Sequence, residues 1–178
     1  MDFALRLLTK SDLPPLLEFE RTNRCFFERY VPPRPEAFFT TPNAFTDRMA
    51  ELLLEQALGR FLMFILLNQN EIIGRVNLTV IENHEAMLGY RLAEKHTGNG
   101  FITRAIERLS PIVMQDYKLA KFSAFAAPSN PASVQTLIKA GFRPTTGENR
   151  EVTLNNAPLT LHKFEKTLGQ PGIFTNFS

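Results

Sequence analysis

A strand that passes through a glycine-rich turn into an amphipathic helix is the feature that most constrains what this chain can fold into. The strand is predicted over Met87–Leu92, the turn contains Gly98 and Gly100, and the helix runs from about Gly100 to Tyr117. Glycine lets the backbone expose successive N–H groups, and a helix start carries four unpaired donors with a partial positive charge. The turn therefore predicts a diphosphate site made of main-chain amides. A turn that only joins the strand to the helix is the alternative.

The same turn matches neither of two common nucleotide-binding motifs. The chain contains no Gly-x-x-x-x-Gly-Lys-Ser/Thr loop and no Gly-x-Gly-x-x-Gly sequence. The P-loop and Rossmann classes of nucleotide site are therefore excluded.

A second helix start follows the next predicted strand. Asn130 is placed to cap a helix whose first residue is Pro131, and this places Ser133 in the first turn with its hydroxyl near the helix mouth. Gly141 and Phe142 then form a typical helix end. For Asn130 a capping role alone is the alternative, and for Ser133 it is a solvated first-turn serine.

The remaining pattern predicts one mixed α/β sheet in a single domain over residues 1–168, followed by a tail over residues 169–178. Gly74 is predicted to form a bulge or a close backbone approach within its strand. Helices are predicted after Ser11-Asp12, as far as the aromatic run at Cys25, and after Asn43 or Thr46. The predicted strands are Phe3–Leu8, Phe61–Leu67, Glu71–Ile81, Met87–Leu92, Phe122–Ala126, Glu151–Leu154 and Leu159–Phe164.

Composition and charge limit the classes of protein to which this chain can belong. A formal charge of +2 without a basic run gives no support for nucleic-acid binding, and no apolar stretch is long enough for a membrane span. The single cysteine, Cys25, excludes an internal disulfide, and we expect it to be buried. The scattered residues His84, His96 and His162 lack metal-ligand spacing and are interpreted as surface residues. A cytoplasmic location without a bound metal is the resulting expectation.

In this order and spacing, the motifs resemble the GNAT superfamily of N-acetyltransferases, and within it the ribosomal-protein alanine N-acetyltransferases. The matching segments are Gly89-Tyr90-Arg91-Leu92, Thr97-Gly98-Asn99-Gly100, Thr103-Arg104-Ala105, the Asn130 and Ser133 pair, and Gly141-Phe142. The likeness covers roughly residues 3–168. It implies a mostly antiparallel, twisted sheet of seven strands with helices on both faces, and it is compatible with a homodimer.

The resemblance also implies acetyl-CoA as cosubstrate. Its diphosphate is expected against the amides of residues 97–102, and its pantetheine arm beside the strand that ends at Leu92, where that strand splays from the strand over Phe122–Ala126. The expected cofactor-binding residues are Tyr90, Arg91, Leu92, Thr97, Gly98, Asn99, Gly100, Phe101, Ile102 and Asn130.

Three positions depart from the family pattern. Thr97 and Asn99 stand where longer polar or basic residues are common, which weakens side-chain contacts but spares the amides. Leu137 stands where many members of the superfamily carry a tyrosine that acts as the general acid. The branch resembled here often uses the serine at the position of Ser133 instead.

The chemistry requires a neutral amine and a stabilised leaving thiolate. Ser133 is the candidate proton donor to the thiolate, and backbone N–H groups near Leu92 could polarise the carbonyl oxygen. Glu151 is the candidate base, with Glu82 and Glu85 as alternatives, and for each of them a solvated carboxylate is the competing interpretation.

Three functions remain open at this point. The acceptor is a protein N-terminal amine, or it is a small amine such as a polyamine or an aminoglycoside. Alternatively, the chain keeps the fold as an acetyl-CoA-binding module without catalysis.

Overall fold

A twisted β-sheet forms the centre of the molecule in the computed structural model, which describes residues 2–41 and 43–169. Its spatial order is β1-β2-β3-β4-β5-β8-β6, and β7 pairs with β8 alone. The strands are β1 (Ala4–Leu7), β2 (Leu62–Asn68), β3 (Glu71–Glu82), β4 (Glu85–Leu92), β5 (Lys121–Ala126), β6 (Arg143–Pro144), β7 (Arg150–Leu154) and β8 (Ala157–Thr167).

The mixed, mostly antiparallel sheet confirms the predicted fold class. All neighbouring strands are antiparallel except β4 and β5, which run parallel. The seven predicted strands are present, and the two-residue strand β6 adds an eighth that the sequence did not predict. Gly74 lies at a β-bulge and also at a close backbone approach, the two alternatives predicted for it. The register shifts beside it, and a Cβ atom there would lie 2.8 Å from the carbonyl oxygen of Arg91.

Helices cover both faces of this sheet. They are α1 (Leu13–Thr22), α2 (Arg24–Phe27), α3 (Ala37–Thr40), α4 (Ala44–Ala57), α5 (Phe101–Tyr117) and α6 (Pro131–Lys139). On one face α5 and α6 pack on a core that includes Ile106 and Phe122, and on the other α1, α2 and α4 pack on a core that includes Phe19 and Ile65. The sheet therefore separates two hydrophobic layers. None of the helices in the described ranges has the length and apolar character needed to cross a membrane.

The first predicted helix is broken, and this changes the environment of Cys25. The chain leaves helical geometry at Asn23, whose side-chain amide donates to the carbonyl of Phe19 at 2.9 Å. In the short α2 that follows, Phe27 is the residue that packs inward, and Cys25, two positions earlier, is exposed. The prediction of a buried cysteine is therefore wrong, because residues two apart on a helix point in different directions.

An ion pair near the start of the chain fixes α1 to the sheet. Both terminal nitrogens of the Arg6 guanidinium donate to the carboxylate of Asp12 at 2.7 Å, and the backbone N–H of Thr9 donates to it at 2.8 Å. The Asp12 side chain is 8% exposed. Its hydrogen bonds with Arg6 outweigh burial and hold the pKa of this carboxyl well below its ordinary value.

We expect Asp12→Asn to lower the free energy of unfolding at pH 7 by about 1–2 kcal/mol, since Arg6 stays partly solvated. Because the folded-state pKa is depressed, this contribution is complete above about pH 5 and is lost as the pH falls below about 4. Urea unfolding at several pH values measures it. Glu18→Gln is the matched control, since it removes an exposed carboxylate whose one hydrogen bond within the described residues comes from Thr22. An equal cost for both substitutions would contradict the assignment.

Candidate active site

A gap opens in the sheet between β4 and β5. The two strands pair only from Glu85–Met87 to Lys121–Ser123, so their C-terminal halves diverge. Backbone groups in the second half of β4 still pair with β3 on one side and have no strand partner on the other within the described chain. The divergence expected from the resemblance is thus present, and it leaves a strand edge available to an extended ligand.

The glycine turn lies directly after β4 and ends at the start of α5. Gly98 and Gly100 have φ values of 78° and 70°, a region that favours glycine. Across the described residues, the N–H groups of residues 98–103 donate to no protein acceptor. They form a set of free donors at the positive end of a 17-residue helix, and this arrangement suits an anion.

Two side chains support this turn without bonding to the amides of residues 98–103. The N–H of Thr97, predicted to face the diphosphate, donates to the carbonyl of Glu94 at 3.1 Å, so it is not one of the free donors. The hydroxyl of Thr97 donates to the carbonyl of Glu94 at 2.8 Å, and the amide of Asn99 donates to the carbonyl of Thr97 at 3.0 Å. Phe101 and Ile102 are buried, so their side chains belong to the core and only their amides face the turn. The residues of the turn that were predicted to bind the cofactor therefore share one structural element, in which the free donors are main-chain amides.

His96 is not the surface residue that its scattered position suggested. It is half-buried, and its ring lies edge-on against Phe101 with the centroids 5.7 Å apart. The reason is that the turn packs against the start of α5. His84 and His162 are exposed. In the described chain no group of three or more His, Cys, Asp and Glu side chains could hold a metal ion.

The start of α6 meets β4 through two hydroxyl groups. The side-chain oxygen of Asn130 accepts a hydrogen bond from the N–H of Ser133 at 3.1 Å, as the predicted cap requires. The hydroxyl of Ser133 lies 2.8 Å from the phenol oxygen of Tyr90. Leu137, at the position where many superfamily members carry the tyrosine general acid, lies one turn further along and is buried in the core. Ser133 and Tyr90 are therefore paired at the edge of the gap.

The sequence predicted that the backbone of Tyr90 binds the cofactor, but it did not predict a role for the Tyr90 side chain. Burial raises the pKa of its phenol more than the hydrogen bond with Ser133 lowers it, so the group stays protonated at neutral pH. Strand alternation gave a signal, because Leu88 and Tyr90 share the face that α5 and α6 cover. Tyr90 can therefore donate a hydrogen bond to Ser133 and orient its hydroxyl.

Glu151 lies in the β7–β8 hairpin, apart from this pair. Its carboxylate is exposed and accepts a hydrogen bond from the hydroxyl of Thr160 at 2.6 Å. Within the described ranges it makes no hydrogen bond to Ser133 or Tyr90. The preceding residue, Arg150, lies over the ring of Phe125 on β5 at 4.5 Å, so β7 reaches the strand that borders the gap. The alternative bases lie elsewhere. Glu85 pairs with Lys121, and Glu82 is exposed at the end of β3.

A buried charge cluster on the opposite face of β4 was not predicted. Glu20 of α1 accepts hydrogen bonds from Arg75 at 2.8 Å and Arg91 at 2.5 Å, and Arg34 lies 3.9 Å from the same carboxylate. Burial raises the pKa of Glu20, but the three guanidinium groups together lower it below its ordinary value. The side chain of Arg91, expected near the cofactor, therefore points to α1. A glutamate on the apolar stripe of α1 was the available signal.

The comparisons with known proteins agree with this geometry. The acetyltransferase (GNAT) domain family matches residues 2–143. YjcK of Bacillus subtilis, a probable N-acetyltransferase, is 27% identical over 156 residues, which cover 85% of this chain and 86% of that protein.

Two solved structures share the fold at low sequence identity. The ribosomal-protein-S5-alanine acetyltransferase of Vibrio fischeri has a TM-score of 0.88 at 23% identity and covers 97% of this chain and 96% of its own. The spermidine N-acetyltransferase of Vibrio cholerae, solved with CoA and spermine, has a TM-score of 0.76 at 20% identity and covers 94% of this chain and 96% of its own.

Proposed function

Because this chain belongs to the GNAT acetyltransferases, we propose that it transfers the acetyl group of acetyl-CoA directly to the N-terminal amine of a protein. One observation carries the proposal. The gap between β4 and β5 opens beside a helix start with free amides, and the Ser133–Tyr90 pair lies at its edge. In this arrangement the free amides suit a diphosphate, the gap suits a thioester, and the Ser133–Tyr90 pair suits a leaving thiolate.

The amides of residues 98–103 hold the diphosphate of acetyl-CoA in this proposal. Thr97 and Asn99 support the turn, and Asn130 sets the start of α6. The free edge of β4 from Tyr90 to Leu92 accepts the pantetheine arm along its backbone. Binding both reactants in one gap contributes much of the rate enhancement, because it turns a bimolecular reaction into one within a complex.

In the transfer step the amine nitrogen attacks the thioester carbon and the carbon–sulfur bond breaks. The nitrogen loses a proton, and the thiolate of CoA gains one. Ser133, oriented by Tyr90, donates to the thiolate. Glu151 accepts the amine proton through water, since its carboxylate lies outside the gap. Ser133 then regains a proton from water and Glu151 releases one to it, so the protons balance without a covalent enzyme intermediate.

The charge beside the gap favours a peptide over a polyamine. Among the described residues, Glu20 is the one carboxylate that pairs with Arg34, Arg75 and Arg91, which leaves an excess of positive charge on that face of β4. A polycation is repelled there, whereas a peptide N-terminus brings one positive charge or none. Cytoplasmic location fits the same function, because ribosomal and other nascent N-termini are exposed in that compartment. The homodimer stays a prediction.

An acceptor panel tests the proposed function. Release of the CoA thiol is followed with peptides of varied first residue, with spermidine and with an aminoglycoside. We expect a kcat/KM for the preferred peptide at least about tenfold above that for spermidine, a difference of about 1.4 kcal/mol. A peptide with the same sequence and a blocked α-amine is the control and should be inactive. Acetyl-CoA binding without CoA release from any acceptor would instead indicate a non-catalytic module.

A further inference from the structure

Three arginines converge on one carboxylate on the face of β4 that α1 covers. The side chains of Glu20 and Arg75 are 3% and 5% exposed, whereas those of Arg91 and Arg34 are 17% and 31% exposed. Glu20 and Arg75 therefore form the buried base of the cluster. Arg34 and Arg91 form the part that a ligand can reach.

The cluster is short of negative charge. One carboxylate faces three guanidinium groups, and the positive side chain of Arg48 adds to the unfavourable field at Arg34. Burial lowers the pKa of Arg34, and it lowers that of Arg91 to about 10 in spite of the contact with Glu20. Partly buried cations that outnumber their counter-charges are unfavourable in a folded protein, and a ligand can supply the missing charge.

Two buried polar atoms at this face have no hydrogen-bond partner in the described chain. One is the Nε of Arg34, and the other is the side-chain oxygen of Asn77 on β3. Asn77 is two residues from Arg75, so both side chains point to the same face of the sheet. Its register partner on β4 is Gly89, which leaves the space opposite it without a side chain. The unpaired donor of Arg34 suits an anionic oxygen, whereas the unpaired oxygen of Asn77 requires a separate donor such as water or an N–H group.

Aromatic rings hold the two accessible arginines in place. The guanidinium of Arg34 lies 4.3 Å from the ring centroid of Phe38, and that of Arg91 lies 4.8 Å from the centroid of Phe27. Such stacking orients a guanidinium and leaves its N–H edge free. Arg91 directly follows Tyr90 on the strand that borders the gap, so its side chain points to the opposite face of the sheet from the Ser133–Tyr90 pair, at the same position along the gap.

We propose that Arg34 and Arg91 bind a carboxylate of the acceptor, and that the preferred acceptor is a protein N-terminus followed closely by an acidic residue. The inference rests on the proposed function and specifies its substrate. Arginine recognises carboxylates through paired N–H groups, which gives both affinity and orientation. The acidic side chain completes the charge balance of the cluster and aligns the α-amine with the gap.

Two peptides that differ only in charge provide the test. One carries Asp and Glu at its second to fourth positions, and the other carries Asn and Gln there. We expect the wild-type kcat/KM to be about 20-fold higher for the acidic peptide, because one charge-assisted hydrogen bond contributes a factor of that size. Arg34→Gln should reduce this ratio to near one, and Arg34→Lys should retain part of it. Arg34 is chosen because its loss leaves Glu20 with two partners.

Arg60→Gln is the matched control, since it removes an arginine that is 66% exposed and pairs only with Glu55 in the described chain. Melting temperatures show that each variant is folded. Equal rates for both peptides with the wild-type protein would overturn this inference and leave the proposed function intact. A ratio that survives Arg34→Gln would overturn the role of Arg34. Acetylation of neither peptide would overturn the proposed function and the inference with it.

Discussion

Replacing Gly100 by valine is expected to weaken acetyl-CoA binding by at least about 100-fold, or about 2.7 kcal/mol. Gly100 caps α5 with a φ of 70°, and a β-branched residue is strongly disfavoured in that conformation. No atom lies within 4 Å of where its Cβ would be, so the added side chain projects into the open space beside the free amides. The loss therefore comes from a displaced turn and from bulk in the space that the diphosphate occupies. Calorimetric titration measures it.

Gly59 offers a matched control for this substitution. It also has a φ of 70° with open space around its Cβ position, and it ends α4 rather than forming the turn. Gly59→Val therefore imposes a similar backbone strain away from the gap. We expect it to lower the melting temperature as Gly100→Val does and to leave the dissociation constant of acetyl-CoA within about twofold. A folded Gly100→Val protein with wild-type affinity would refute the diphosphate site.

Ser133→Ala is expected to lower kcat by about 100-fold, the lower range for general acid–base catalysis, with acetyl-CoA affinity nearly unchanged. The substitution removes the hydroxyl that lies 2.8 Å from Tyr90 but keeps the backbone N–H that Asn130 caps. The helix start is therefore retained while the proton donor is lost. Ser110→Ala, which removes a half-buried helical serine bonded to Ile106, is the control. An unchanged kcat would exclude Ser133 from the acid role.

Tyr90→Phe separates a positioning role from a structural one. If Tyr90 acts by orienting Ser133, its replacement should lower kcat by about tenfold in the wild-type background and have little further effect in Ser133→Ala. Tyr117→Phe, at the end of α5, is the control for loss of a tyrosine hydroxyl. Independent, additive effects of the two substitutions on kcat would show that the pair does not act as a unit.

Local signals in the sequence were sufficient for the turn and for both helix starts. Glycine at positions of positive φ and Asn-Pro at a cap act within a few residues, so their geometry is set nearly independently of the rest of the fold. The strand patterns were equally local, and the strand pairing followed from the resemblance. The predicted tail falls almost wholly on residues outside the described ranges.

Long-range contacts were the part that could not be predicted. Tyr90 and Ser133 are 43 residues apart, and Glu20 and Arg91 are 71 residues apart. Both contacts depend on how α6 and α1 pack on the sheet, which no short pattern encodes. A charged residue on the buried stripe of α1 marked Glu20 as unusual but did not identify its partners.

In the proposed complex the amides between β4 and α5 bind the diphosphate of acetyl-CoA while its thioester lies in the gap of the sheet. Amide chemical shifts, followed by NMR during titration with acetyl-CoA, test it most directly. We expect saturable one-to-one binding with the largest chemical-shift changes at residues 98–103 and 90–92. Shifts that are absent there, or that cluster on another surface at saturation, would contradict it.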